Sequence, residues 1–242
     1  MAQSLNGWEG IPSETDPRLK WGTVPGTNKK ILLHKDVLPV FLNMLSQVNR
    51  LVIPLDPGPL DGWEYRDART TAKLSNHASG TASDMRYDVL KADRQRHMTP
   101  KQTKTMQKLL NKYVTSTGKR VFGWGGDWDL GTYMDEMHLE AIQYWSPGSQ
   151  GTNATAADFA DVKKRLGIKA DGTRTIVAFI VPPKKPVVSA QAAAADANAL
   201  TAPPAEPKKA RKATAKTAEA KPVAEKKPAV KRTTKKATPP AN

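Results

Sequence analysis

Ser75-Asn76-His77-Ala78-Ser79-Gly80-Thr81-Ala82-Ser83-Asp84 holds one histidine and one aspartate, side chains that suit a zinc ion, at a spacing no regular element can use. On an extended strand the seven-residue offset separates the two Cα atoms by roughly 23 Å, on opposite faces. On a helix they share a face but stand about 10 Å apart along the axis. Zinc–ligand bonds are only about 2.0–2.2 Å, so one ion cannot be reached by both. The chain must fold back between them. Ser79-Gly80 is where it can, because glycine accepts the positive φ of a tight reversal. The decapeptide therefore reads as half of a metal site built across a bend.

The other half is expected fifty residues on, in Trp124-Gly125-Gly126-Asp127-Trp128 and Asp135-Glu136-Met137-His138-Leu139-Glu140. A third ligand from His138 leaves the fourth position of a tetrahedral zinc open, the arrangement of catalytic rather than structural sites. Asp135, three residues earlier, is placed to act as a general base, in competition with Glu136 and Glu140. Glu140 also suits a supporting role, orienting a ligand. His34 and His97, the other histidines, read as packing or surface residues.

Ser-x-His-x-x-Gly-x-Ala-x-Asp followed by Asp-x-x-His resembles the zinc D-Ala-D-Ala carboxypeptidase and L-Ala-D-Glu endopeptidase family of peptidoglycan hydrolases, which shares its fold with hedgehog signalling domains. The resemblance spans roughly residues 5–145. It implies zinc held by His77, Asp84 and His138, with Asp135 as the base. It also implies that Arg66, in Tyr65-Arg66, contacts substrate and faces the charge developing on the scissile carbonyl oxygen. The plain alternative for Arg66 is a surface ion pair with Glu64 or Asp67, with Arg69 as the fallback. Tyr65, Ser75, Trp124 and Trp128 are the expected substrate contacts, although the tryptophan motif reads equally well as a structural turn with core indoles. Aspartate replaces the glutamate of the dipeptidase branch at the base position. That favours an endopeptidase of the phage-lysin kind, with D-Ala-D-Ala carboxypeptidase as the alternative. From another class, the chain suits a non-catalytic polyanion- or wall-binding protein.

The 242 residues allow one domain of ordinary size plus extra segments. With no cysteine, disulfides and thiolate sites are excluded, and any zinc must use histidine and carboxylate. The opening residues lack a basic start followed by an apolar run, so no secretory signal is expected. Ile176–Val181 is the longest strongly apolar run and is too short to span a bilayer. The expected life history is synthesis in the cytoplasm as a monomer, then release to act on peptidoglycan in the wall.

The fold class expected is α+β, a small antiparallel sheet with flanking helices. Residues 1–30 read as an irregular arm anchored by Trp8 and Trp21, within a catalytic domain of residues 1–147. Asp36 is expected to cap a helix through Asn49, and Thr99-Pro100-Lys101-Gln102 to open one ending near Thr117-Gly118. Strands are expected at Leu51–Pro54, Asp61–Asp67, Thr81–Met85, Val121–Trp124 and His138–Ile142. Residues 148–181 read as a linker with one helix, Thr155–Leu166, which either docks or stays loose. Residues 182–242 are Lys/Ala/Pro-rich and expected to be disordered. Residues 183–242 carry 14 of the 38 basic but only 4 of the 23 acidic residues. Such a tail suits anionic wall polymers, though charge alone suits DNA as well.

Overall fold

The computed structural model describes residues 2–69, 71–128 and 133–174; the basic tail expected from residue 182 lies outside them. Among the described residues the chain is a mixed α/β fold with small antiparallel sheets and three helices. Chain order is β1 (Leu19–Thr23), β2 (Lys30–His34), α1 (Leu38–Leu51), β3 (Leu60–Asp61), β4 (Ala82–Met85), β5 (Ala92–Asp93), α2 (Pro100–Leu110), β6 (Phe122–Trp124), β7 (Met134–Asp135), β8 (His138–Ala141) and α3 (Ala156–Arg165). No helix among these residues is long and apolar enough to cross a membrane.

The core closes on α1. Val40, Phe41, Met44, Leu45 and Val48 recur at helical spacing and are all fully buried. Phe41 meets Phe122 edge-on at 4.8 Å, and Phe159 of α3 stacks over Phe41 at 6.1 Å. Tyr113 joins the same aromatic group and donates its hydroxyl to Asn43 at 2.8 Å. Helix α3 therefore docks on the core. Its capping box, Thr155 with Asp158, starts it, and Asn43 of α1 ties the segment beyond it by donating to Gly172 at 2.8 Å. The stretch expected as a linker thus packs with the rest as far as Arg174.

The sheet that carries the site has the order β3-β4-β8-β6, antiparallel throughout. Alternation along a strand gives it two faces. Met85, Leu139, Ala141, Phe122 and Trp124 enter the apolar core. Asp84, His138 and Glu140 alternate with them on the opposite face.

Several expectations change. The arm is not irregular throughout: its β1 pairs with β2, which runs past the arm to His34, from Leu19↔His34 to Thr23↔Lys30. Trp21 is not an anchor but 56% exposed, because its neighbour Gly22 is the residue that packs against Leu38 and Leu42. Asp36 does not cap α1, whose N-cap is Val37 without a side-chain bond. Val52 and Ile53 close the end of α1 by donating to the Val48 carbonyl instead of forming a strand. The expected strand Asp61–Asp67 pairs only at its ends, Asp61 with Asp84 in β3 and Asp67 with Leu74 in an isolated bridge. Helix α2 has the expected capping box at Thr99 and Gln102 but ends at Leu110.

Candidate metal centre

The first motif is a set of local devices. Ser75 stands as N-cap of a 3₁₀ turn, Asn76–Ser79, and its hydroxyl accepts from the His77 amide at 3.3 Å. Gly80 ends the turn at φ 66°, the left-handed conformation that reverses the chain at the expected place. A side chain there would also strike the main chain at His34. The reversal delivers Asp84 on β4 directly opposite His138 on β8.

Three ligand atoms converge. His77 Nε2 lies 3.3 Å from Asp84 Oδ1 and 3.3 Å from His138 Nδ1, while Asp84 Oδ1 and His138 Nδ1 are 2.8 Å apart. In a tetrahedron with bonds of about 2.0–2.1 Å the ligand–ligand edge is about 3.3–3.4 Å. Two of the three edges match, and the third needs only a small opening. The fit extends to the tautomers. His77 Nδ1 is bonded to the Gly62 carbonyl at 2.5 Å, which keeps the proton there and leaves Nε2 as a lone pair. His138 has its Nε2 against Glu140 at 3.2 Å, which directs Nδ1 inward. Glu140 is held in turn by Asn76 at 2.5 Å and Gln143 at 2.8 Å. His77, Asp84 and His138 can hold a metal ion.

The charge balance favours a cation. Burial opposes the charged form of Asp84, yet hydrogen bonds from His138 and His77 outweigh it and hold the carboxyl well below its ordinary range. Burial likewise opposes protonation of His138, but the flanking carboxylates of Asp84 and Glu140 raise it well above the usual value.

The three carboxylates of the second motif separate cleanly. Glu136 is fully buried and accepts from Arg96 at 2.8 Å and from the amides of His97 and Met98 at 2.6 and 2.7 Å. Its capacity is spent on structure. Glu140 turns Oε2 to His138, Asn76 and Gln143; its Oε1 has no partner among the described residues, but Glu140 does not line the cleft. Asp135 is 7% exposed, lines the cleft beside the three candidate ligands, and its Oδ1 has no hydrogen-bond partner among the described residues. Burial pushes this carboxyl up, partly countered by His138.

The tryptophan motif divides in two. Trp124 is 1% exposed, donates to the Glu136 carbonyl at 2.8 Å and takes no part in the cleft, a correction to its expected substrate role. As a β6 residue paired with Leu139 it points to the core face. Gly125 and Gly126 are needed by packing: a side chain on the first would strike the main chain of Asp135, and one on the second the Trp124 indole. Those contacts seat Asp135. Trp128 does line the cleft, with its ring 5.5 Å from His138.

The cleft has a volume of ≈ 390 Å³, and Arg66, Arg69, Ser75, Tyr133 and Trp145 complete its wall. Arg66 is bonded to Glu64 at 2.6 Å, so the ion pair foreseen as its plain alternative is present. Tyr65 is 44% exposed and does not line the cleft; its ring lies beside Gly10 of the arm. Tyr133 and Trp145 were not foreseen. Trp145 lies 6.0 Å from Trp128, and the one sequence signal was a tryptophan in a polar, Pro/Gly-bounded stretch. Asn76, Gly62 and Gln143, the supports of the ligands, carried no signal of their own.

No curated protein and no solved structure matches the chain. A family model described as D-alanyl-D-alanine carboxypeptidase matches residues 68–141, the stretch that contains His77, Asp84, Asp135 and His138. Over that stretch the chain is similar to the D-alanyl-D-alanine carboxypeptidase family, in agreement with the resemblance read from the two motifs.

Proposed function

We propose that the protein is a zinc-dependent peptidoglycan peptidase that cuts the stem peptide, acting as an L-Ala-D-Glu-type endopeptidase of the endolysin kind. The observation that carries this reading is the convergence of His77, Asp84 and His138 beside a buried carboxylate, Asp135, with an unpartnered oxygen. Zinc, when bound by the three side chains, supplies a Lewis acid for the scissile carbonyl and lowers the pKa of water. Asp135 takes the proton of the attacking water and passes it to the leaving amine as the C–N bond breaks. Its burial suits the task, since a desolvated carboxylate is a stronger base. Arg66 and Arg69 both line the cleft and offer positive charge to the carbonyl oxygen. Each already has a partner, Glu64 for Arg66 and the Tyr133 hydroxyl for Arg69, so either must turn from it to face the substrate. Trp128 and Ser75 wall the peptide.

D-Ala-D-Ala carboxypeptidase activity is the second reading, favoured by the description of the matching family. The two differ in the bond cut. Digestion of purified peptidoglycan with zinc-loaded protein, followed by identification of the new termini, separates them. Free D-alanine marks the carboxypeptidase, and a new amino terminus on D-glutamate marks the endopeptidase. No product with zinc present defeats both and leaves a wall-binding protein. The basic tail, residues 182–242, is proposed to hold the enzyme on anionic wall polymers. Its removal is expected to weaken wall binding at low salt more than at high salt.

A further inference from the structure

We propose that the cleft is one end of a longer groove that seats a glycan-bearing polymer, with sugar rings on Trp145 and Trp21. This rests on the peptidase reading and narrows its substrate to polymeric wall material rather than free stem peptide. The metal-side cleft shares Arg66, Arg69, Asp84 and Ala92 with an adjoining depression of ≈ 720 Å³. That depression meets a third at Asp61 and Glu64, and the third meets a fourth at Trp21 and Lys30. The shared walls put the four depressions next to one another in series, the order in which a groove would run.

The tryptophans single out its two ends. Trp8, Trp63, Trp124 and Trp128 are buried or half-buried. Trp21 is 56% exposed and Trp145 50% exposed. Trp145 lines the first member of the series, and Trp21 the last. An indole left in water has a large apolar face with no partner, and its negative π-surface suits the C–H face of a pyranose ring. The floor between them, with Asp61, Glu64, Arg66 and Arg69, is charged. Apart from the rings of Tyr87 and Trp63 it offers charge, which suits the carboxylates and amines of a peptide branch. With the candidate ligands and Trp145 in the same cleft, the arrangement matches a polymer whose peptide is cut at that end while its glycan runs on to Trp21. Trp21 is free to serve because Gly22 does the packing of that part of β1.

The test uses full-length protein stripped of metal, and glycan strands freed of stem peptides by an amidase. High salt silences the basic tail. Trp21→Ala and Trp145→Ala are each expected to weaken glycan binding about tenfold, the scale of a tryptophan at the centre of a contact, while Trp21→Phe keeps most of it. With zinc restored, the ratio of kcat/KM on intact peptidoglycan to that on a short soluble stem peptide is expected to fall about tenfold in Trp21→Ala, through KM. Equal glycan affinity in wild type and Trp21→Ala, or no glycan binding by the wild type, overturns the proposal. Failure of the peptidase reading looks different: the zinc-loaded wild type hydrolyses neither substrate, and the glycan titration alone then decides the groove.

Discussion

The two faces of the β3-β4-β8-β6 sheet are made by the same strands, yet they follow different rules. On one face Met85, Leu139, Ala141, Phe122 and Trp124 join an apolar core. Its requirement is volume and burial, which many side chains can meet. On the other, Asp84, His138 and Glu140 stand at alternate positions, each tied to a named atom within 3.3 Å. There, identity and tautomer matter, and no substitution keeps both. The lesson is that one face specifies the fold and the other specifies chemistry, with the backbone pleat keeping them apart. If that is right, changes on the metal face should abolish function while sparing the fold, and changes on the core side should do the reverse.

The largest effect is expected from the ligands. His77→Ala, Asp84→Ala or His138→Ala each removes one of three protein bonds to the ion, and zinc content and hydrolysis should both fall to background. Metal analysis of dialysed protein, with circular dichroism to show a retained fold, checks it. A ligand variant that still binds one zinc and turns over would erase the distinction between the faces.

Next comes Asp135→Asn, which should keep the metal yet lower kcat by about 10²- to 10⁴-fold, the usual range for a lost general base. The sign of the pH dependence follows from burial. Asp135 must be ionised to accept a proton, and desolvation raises its pKa. Activity should therefore fail on the acid side at a pH above the ordinary carboxylate value of about 3.9, and recover as pH rises. Glu136→Gln offers a contrast: Glu136 accepts from Arg96 and two amides, so its loss should show as instability rather than as a changed pH profile.

Core packing supplies the third test. Phe159→Ala empties a fully buried site between Phe41 and Phe122, and should cost about 3–5 kcal/mol of stability. Denaturant unfolding measures it. Per folded molecule, zinc uptake and turnover should stay near wild type, because Phe159 packs on Phe41 and Phe122 in the core. A loss of zinc equal to that of a ligand variant would mean the two faces are coupled.

How much of this was legible in the sequence depends on range. The bend at Gly80 and the capping box at Thr99 are set by residues within a few positions, and both were readable from local chemistry; the box at Thr155 and Asp158 was not among the expectations. The buried face of α1 was readable from its period. The hairpin at Leu19–His34 was not, because Gly22 and Trp21 reverse the usual association of tryptophan with burial. Nor could local pattern tell Trp124 from Trp128, four residues apart in one motif. The first follows β6 into the core, and the second leaves it for the cleft. The ligand supports at Gly62, Asn76 and Gln143 are ordinary residues whose roles exist only in the assembled fold.

Those supports give the smallest effect and the sharpest probe of the metal face. Glu140 fixes the His138 ring by its contact at Nε2, and Asn76 and Gln143 hold the same carboxylate oxygen. Glu140→Gln keeps the size but removes the charge and replaces one acceptor oxygen with a donor. Zinc should then bind about 10- to 100-fold more weakly, the range seen when the partner of a metal-bound histidine is lost, with stoichiometry still reaching one at saturating metal. Competition against a chromophoric chelator measures this directly. Because Glu140 lies on the metal face and yet is not a proposed ligand, an unchanged affinity would confine that face's strict rule to the three atoms that converge. A loss as complete as that of His138→Ala would instead place Glu140 among the ligands themselves.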